Sequence, residues 1–291
     1  MDQLTQNIIN ELRKDGRASY TDIANTLGTN RETVSKRANP LIASGELLIY
    51  AAIHPWIFGK NVGVHLLIRI EGPLDRVLTP LVDMDDTVFV SETTGAFQLV
   101  AELHTNSLNS SQQAISRIRS LPGVVDVSVH VYEQILSSFF LGSEPDVDTN
   151  TLDQLDFAIM NYLRQDGRAP LRDISQAVGL SPAAVRSRII KLQERRVMKI
   201  GALAQRSDMS NDFLFGFGIN TSGDDREAVS LLTAESGLEF LARAVGRFDY
   251  VVTANFTSLR HFNDLVSTLR KLSCVTYTEQ WLHVRIGYEK Y

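Results

Sequence analysis

Apolar residues recur at helical spacing at Leu4, Ile8, Ile9 and Leu12, and again at Leu155, Ile159, Met160 and Leu163. Gly16 and Gly167 follow these stretches, at the place where a helix ends in a left-handed residue. A short second helix is predicted over 171–178, broken by Gly179. The next stretch, "SPAAVRSRIIKLQERR", predicts a third helix, with Ser181 as N-cap and Pro182 at the first helical position. Val185, Ile189 and Leu192 form its buried stripe, which leaves Arg186, Ser187, Ile190 and Lys191 facing outward. "VMKIGALA" then predicts a strand pair or wing. Two helices, a glycine turn, a basic-faced helix and a wing make a winged helix-turn-helix.

Strand-like and helical patterns then alternate. "GVHLLIRIEG" is a strand, 73–82 a helix, and "TVFVSETTG" and "FQLVAELHT" are strands joined around Gly95. "LNSSQQAISRIRSLPGV" is a helix and "VVDVSVHVYEQI" a last strand. The second half repeats the order from "LFGFGINTS" to "VTYTEQWLHVRIG". The result is βαββαβ, a ferredoxin-like unit. One face of such a sheet carries helices; the other is apolar and seeks a second sheet.

The two halves align without a gap at an offset of 151, with 12 identities in 25 positions between 4–28 and 155–179. "LRKDGRAS" and "LRQDGRAP" fall in this match, and their turns are expected to stop a helix, with Arg17 and Arg168 at most phosphate contacts. The fold class is therefore α+β, with two tandem copies of a winged helix-turn-helix followed by βαββαβ. The expected segments are 1–54 and 153–205 (helix-turn-helix), 55–141 and 206–291 (βαββαβ), and a linker at 142–152. The two βαββαβ sheets are expected to pair within one chain, in place of a dimer of single copies.

Charge changes this picture. The net charge over 291 residues is −5, but 151–206 holds ten basic and five acidic residues. A local basic patch, rather than net charge, is the footprint of phosphate binding. Segment 1–54 balances six basic against six acidic residues. Its third helix, "RETVSKRANPLIASG", contains Pro40, which removes a backbone donor and is expected to kink or shorten it. The lone Cys274 excludes an internal disulfide and fits a reducing cytoplasm. No apolar run reaches membrane-spanning length and the N-terminal stretch has no signal-peptide pattern, so a cytoplasmic protein is expected.

The candidate DNA contacts in the second copy are Arg172, Ser181, Ala183, Arg186, Ser187, Arg188, Ile190 and Lys191. Ala183, Arg186, Ser187 and Ile190 are placed for base edges; Arg172, Lys191, Arg195 and Arg196 for phosphates. In the first copy they are Arg31, Thr33, Lys36 and Arg37, on a segment that suits a packing copy as well as a reader.

The helix-turn-helix run from "LDQLDFAIMNYLRQDGRAPL" to "KLQERRVM", followed by the βαββαβ unit with "AVGRFDYVV", resembles the leucine-responsive/asparagine-regulator (Lrp/AsnC) family and its RAM domain. The resemblance implies a homo-oligomeric regulator that binds double-stranded DNA and a small effector, often an amino acid, near the glycine loop of paired RAM domains. The matching positions are Gly246, Arg247, Phe248 and Asp249 with Thr278; in the first copy, Gly95, Ala96, Phe97 and Gln98 with Val127. A glycine loop lets backbone N–H groups approach a carboxylate, Asp249 suits an ammonium group, and Thr278 adds a hydrogen bond. The first copy lacks the acid and the hydroxyl, which implies no pocket there or a different ligand.

Two other readings stay open. Sirohaem decarboxylases share this two-part fold, but His54, His65, His104, His130, His261 and His283 form no recognisable cluster in the sequence. A metabolite sensor could also use its helix-turn-helix for assembly alone. No metalloprotease, nucleophile-elbow, P-loop or dinucleotide motif is found. A regulator rather than an enzyme, with no cofactor and no metal, is expected.

Overall fold

The computed structural model describes residues 2–139, 151–204 and 213–289. Most of the expected linker lies outside these residues. The chain forms two compact units, 1–57 with 145–210 and 58–144 with 211–291. The helix-turn-helix segments share one unit and the βαββαβ segments share the other.

The first half runs α1 (Gln3–Lys14), α2 (Tyr20–Thr26), α3 (Arg31–Ser44), β1 (Leu47–Ile53), β2 (Val62–Ile70), α4 (Asp75–Val82), β3 (Thr87–Thr93), β4 (Leu99–Thr105), α5 (Leu108–Arg119) and β5 (Val124–Ser138). The second runs α6 (Gln154–Gln165), α7 (Leu171–Val178), α8 (Pro182–Glu194), β6 (Met198–Ala204), β7 (Phe213–Thr221), α9 (Arg226–Thr233), β8 (Leu238–Val245), β9 (Tyr250–Phe256), α10 (Leu259–Leu269) and β10 (Val275–Glu289). The element order of the first half recurs in the second.

In the helical unit, polar caps start the helices. The Asp2, Ser19, Asn30, Asp153 and Ser181 side chains accept from backbone N–H groups three residues on. The predicted stripes meet in one core that joins Ile8, Ile9 and Leu12 to Ile159, Met160, Leu163, Val185, Ile189 and Leu192. The wing expectation is corrected. β6 does not fold back on its own copy; it pairs antiparallel with β1 of the other half, from Leu47 opposite Ala204 to Ile53 opposite Met198. Each copy supplies one strand, and its apolar residues Ile49, Ala51, Met198 and Ile200 enter the shared core. The expectation that Pro40 shortens α3 is also corrected. The helix continues to Ser44, and Leu41 and Ile42 beyond the proline pack against the core.

The duplicated turn sits where the halves meet. Arg17 donates to the carbonyls of Gly167 (2.7 Å) and Ala169 (3.0 Å), and Arg168 donates to those of Gly16 (3.0 Å) and Ala18 (3.2 Å). The phosphate role considered for both arginines is thereby corrected. Burial, then the neighbouring Arg168 charge, lowers the Arg17 pKa from its ordinary value. Gly16 N–H donates to Ile200 O and Gly167 N–H to Ile49 O. A Cβ at Gly167 would lie 2.9 Å from the Tyr50 backbone, so the strand approaches too closely for any other residue.

The second unit is a closed eight-stranded barrel in the order β10-β3-β4-β2-β5-β8-β9-β7. The last strand of each half closes it. β5 pairs with β2 as far as Val131 and then with β8 to Ser138; β10 pairs with β7 as far as His283 and then with β3 to Glu289. Two four-stranded sheets of one chain thus meet edge to edge, which leaves neither with an open edge. Their helices lie outside on separate apolar layers, around Leu66 and Ile118 in the first half and Phe217 and Leu269 in the second. No helix among the described residues is long and apolar enough to cross a membrane.

Arg17→Ala removes the donors to two partly buried carbonyls, and we expect it to lower unfolding free energy by about 2–3 kcal/mol in urea denaturation. Arg17→Lys, with no guanidinium fork, should recover only part of this. An unchanged midpoint in Arg17→Ala would exclude the exchange as a stabilising contact.

Candidate functional site

Helix α8 is held by its buried stripe of Val185, Ile189 and Leu192 and started by Ser181, whose side chain accepts from the Ala184 N–H. Its outer face exposes Ala183, Arg186, Ser187, Ile190 and Lys191. Arg186 and Lys191 make no ion pair among the described residues. Ile190 is 44% exposed, a large apolar side chain standing in solvent on a polar helix face. Arg172 is exposed beside Asp173, and Arg195 hydrogen-bonds the Thr151 hydroxyl.

Two predicted DNA contacts do other work. Arg188 pairs with Asp153 (2.9 Å) and Asp156 (2.7 Å), tying α8 to the start of α6. Arg37 does the same in the first copy, binding Asp2 and the Thr5 hydroxyl. Both guanidiniums are committed to clamps within their own copy and are withdrawn as phosphate contacts. The signal was present in the sequence: Asp2 with Arg37 and Asp153 with Arg188 recur at one spacing.

The outer face of α3 differs. Lys36 pairs with Glu32 at 2.8 Å. The Tyr20 hydroxyl donates to Asn39 (2.7 Å), whose amide donates to the Ser35 hydroxyl (2.9 Å). Arg31 is exposed, and the Thr33 N–H is held by the Asn30 cap.

In the barrel, the loops at Gly95 and Gly246 do equivalent jobs. Phe97 and Phe248 turn into the interior, where they pack with Leu67, Phe89, Val100 and Trp281. A Cβ on Gly218 would lie 2.2 Å from the Phe248 ring, so a glycine there makes the ring's place. Asp249 accepts from the Thr221 N–H (2.8 Å), and Gln98 accepts from the Ile70 N–H (2.9 Å). The first copy therefore keeps this hydrogen bond with an amide oxygen where the second uses a carboxylate. Ala96 and Arg247 occupy the loop tips. Thr278 does not join the loop. Its hydroxyl accepts from Arg270 Nε at 2.9 Å beside α10, and Val127, its counterpart, packs in the helix-side core. The pairing of Asp249 with Thr278 around a ligand is thus corrected. Sequence reasoning missed Glu279, which binds Arg247 (2.5 Å) and the Tyr277 hydroxyl (3.0 Å) on the exposed rim. Alternation along β10 places Glu279 and Trp281 on the same face.

The histidines also regroup. His65 and His130 are cross-strand partners on β2 and β5 with rings 6.0 Å apart. His65 Nδ1 lies 3.3 Å from both Glu102 and the Tyr132 hydroxyl. His130 stacks on Phe248 at 5.0 Å, and its ring nitrogens have no hydrogen-bond partner among the described residues. Two of the six histidines are thus brought side by side by β2–β5 pairing within the first half, and barrel closure sets Phe248 and Trp281 of the second half against them. Among the described residues, no group of three or more His, Cys, Asp or Glu is arranged to hold a metal ion.

Burial, reinforced by His65, pushes the His130 pKa down to about 3; burial pushes His104 down to about 4 against the pull of Glu102. The unfolded chain binds these protons near the ordinary value of about 6.5. The native state releases them, so this stability is complete above about pH 6.5 and is lost as pH falls toward the folded values. Urea midpoints should therefore fall between pH 7 and 5, and His130→Phe, which keeps a ring on Phe248, should flatten that fall.

A family model for the AsnC-type helix-turn-helix domain matches residues 1–41 and 152–193. The HTH-type transcriptional regulator FL11 of Pyrococcus abyssi is 29% identical over 126 residues, covering 43% of this chain and 83% of that protein. An uncharacterized HTH-type transcriptional regulator of Pyrococcus horikoshii is 30% identical over 105 residues, covering 34% of this chain and 68% of that protein. Among solved structures, the siroheme decarboxylase NirDL matches 99% of this chain and 93% of its own, with a TM-score of 0.65 at 13% identity, a likeness of fold. Both helix-turn-helix segments carry the AsnC-type pattern, and the chain belongs to the Lrp/AsnC family.

Proposed function

We propose that the protein is a DNA-binding transcription regulator whose DNA binding or assembly responds to a small, amino-acid-like effector held by the barrel unit. The observation that carries the DNA reading is the outer face of α8. Its arginine, lysine, serine and isoleucine are exposed, and Arg186 and Lys191 make no ion pair among the described residues. Arg186 has the planar fork that matches guanine O6 and N7, Ile190 suits a thymine methyl, and Lys191 suits a phosphate. The effector reading is supported by the family and by the rim of the second glycine loop. There Arg247 and Glu279 set a positive and a negative group side by side, complementary to the carboxylate and ammonium of an amino acid. Their counterparts at Ala96 and Ser128 carry no charge, so one such site per chain is proposed. Chains associate further through their barrel units.

A second reading, an enzyme like the siroheme decarboxylase neighbour, is favoured by one observation: His65, His130 and Tyr132 gather inside a barrel of that fold. Titration with iron uroporphyrin separates the two, since a tetrapyrrole site gives a strong, saturable visible band.

Fluorescence anisotropy on the protein's own upstream region tests the first reading. Arg186→Glu should weaken binding at least about tenfold, and affinity should fall steeply between 50 and 200 mM salt. An unchanged affinity in Arg186→Glu would remove α8 as the reading helix. A thermal-shift screen against amino acids should raise the melting point for one class of ligand, and Arg247→Ala should abolish that rise.

A further inference from the structure

The helical unit is two-fold in its backbone and one-sided in its chemistry. In the β1–β6 ladder Tyr50 lies opposite Gly201, its own counterpart at the offset of 151, and the pairs on either side exchange places about that point. The Arg17 and Arg168 bonds are reciprocal about the same axis. Helices α3 and α8 are thus related as the two reading helices of a symmetric dimer are, a relation that addresses two inverted half-sites on a duplex. The side chains they present are different. Ala183, Arg186, Ser187, Ile190 and Lys191 on α8 correspond to Glu32, Ser35, Lys36, Asn39 and Pro40 on α3.

We propose that one chain reads an unequal operator: two inverted half-sites of different sequence, one for α8 and one for α3, bound in a single orientation. This rests on the DNA-binding reading above. Helix α8 brings a guanidinium, an ammonium and an apolar side chain, which favour guanine, phosphate and a thymine methyl. Helix α3 brings Glu32 and Asn39 with their partners Lys36, Tyr20 and Ser35. A carboxylate in the first helical turn accepts from a cytosine N4 amine and repels phosphate, and an asparagine matches adenine. The α3 half-site therefore differs in sequence and contributes less affinity. A homodimer presents one reading face twice, because both its helices come from one sequence. Here the halves are covalently joined, so each was free to diverge while the shared backbone kept the two-fold.

The test is selection from randomised duplexes with the full chain, followed by anisotropy on three duplexes: the selected operator, a palindrome of its α8 half and a palindrome of its α3 half. The expected result is a non-palindromic consensus of two inverted halves, with both palindromes bound at least about tenfold more weakly. A variant grafting the α8 face onto α3 (Glu32→Ala, Ser35→Arg, Lys36→Ser, Asn39→Ile, Pro40→Lys) should then prefer the α8 palindrome. Recovery of a palindrome or of a lone half-site by the unmodified chain would overturn the unequal operator and leave DNA binding intact. Enrichment of no duplex would instead overturn the DNA-binding reading.

Discussion

The helical unit depends on the exchange of arginine side chains between its two halves. Arg17 and Arg168 each fork onto two carbonyls of the opposite turn, and each turn's glycine N–H reaches a strand of the shared ribbon. Two guanidiniums placed together repel, and burial raises that cost. Four carbonyl oxygens offset it, and they are available only because Gly16 and Gly167 let the strands come close. A single copy would leave those carbonyls, and one edge of its lone strand, without partners.

The barrel solves the same problem with strands in place of arginines. A four-stranded sheet with helices on one face has a bare inner face and two open edges. Making β5 and β10 long enough to cross to the other half's sheet covers all of these at once. The interior then takes Phe97 and Phe248 from the two glycine loops, and His65, His130 and Tyr132 from strands of the first half. Gln98 and Asp249 hold matching backbone donors, so the two loops keep one geometry while their tips carry different chemistry, Ala96 in one and Arg247 in the other.

Intrachain pairing has a functional consequence. A protein that dimerises from identical chains must present the same surface twice. Here the contacts that hold the halves together match, as in the DGRA turns, and so do the clamps inside each copy, Asp2–Arg37 and Asp153–Arg188. The outward faces of α3 and α8, and the rims at Ala96 and Arg247, do not match. The side chains preserved the symmetry where both halves touch and lost it where each half meets solvent.

Much of this was legible in the sequence. The helical stripes, caps and βαββαβ order follow from local periodicity and from side chains that bond within three residues, which a linear pattern records. The outward set on α8 followed from the same periodicity. The roles of Arg17, Arg168, Arg37 and Arg188 did not, because a basic residue in a basic segment suits phosphate as well as it suits a carbonyl or a carboxylate. Only the fold brings the acceptors within 3 Å or so. The wing became half of a ribbon because the partner strand lies 151 residues away, and Thr278 left the effector set because strand alternation turned it toward α10. Which elements form and which helix is basic could be read along the chain, since those depend on near neighbours. Which charges remain available, which histidines meet and how the two halves complete each other were set by the fold, since those depend on contacts between residues 35 to 152 apart along the chain.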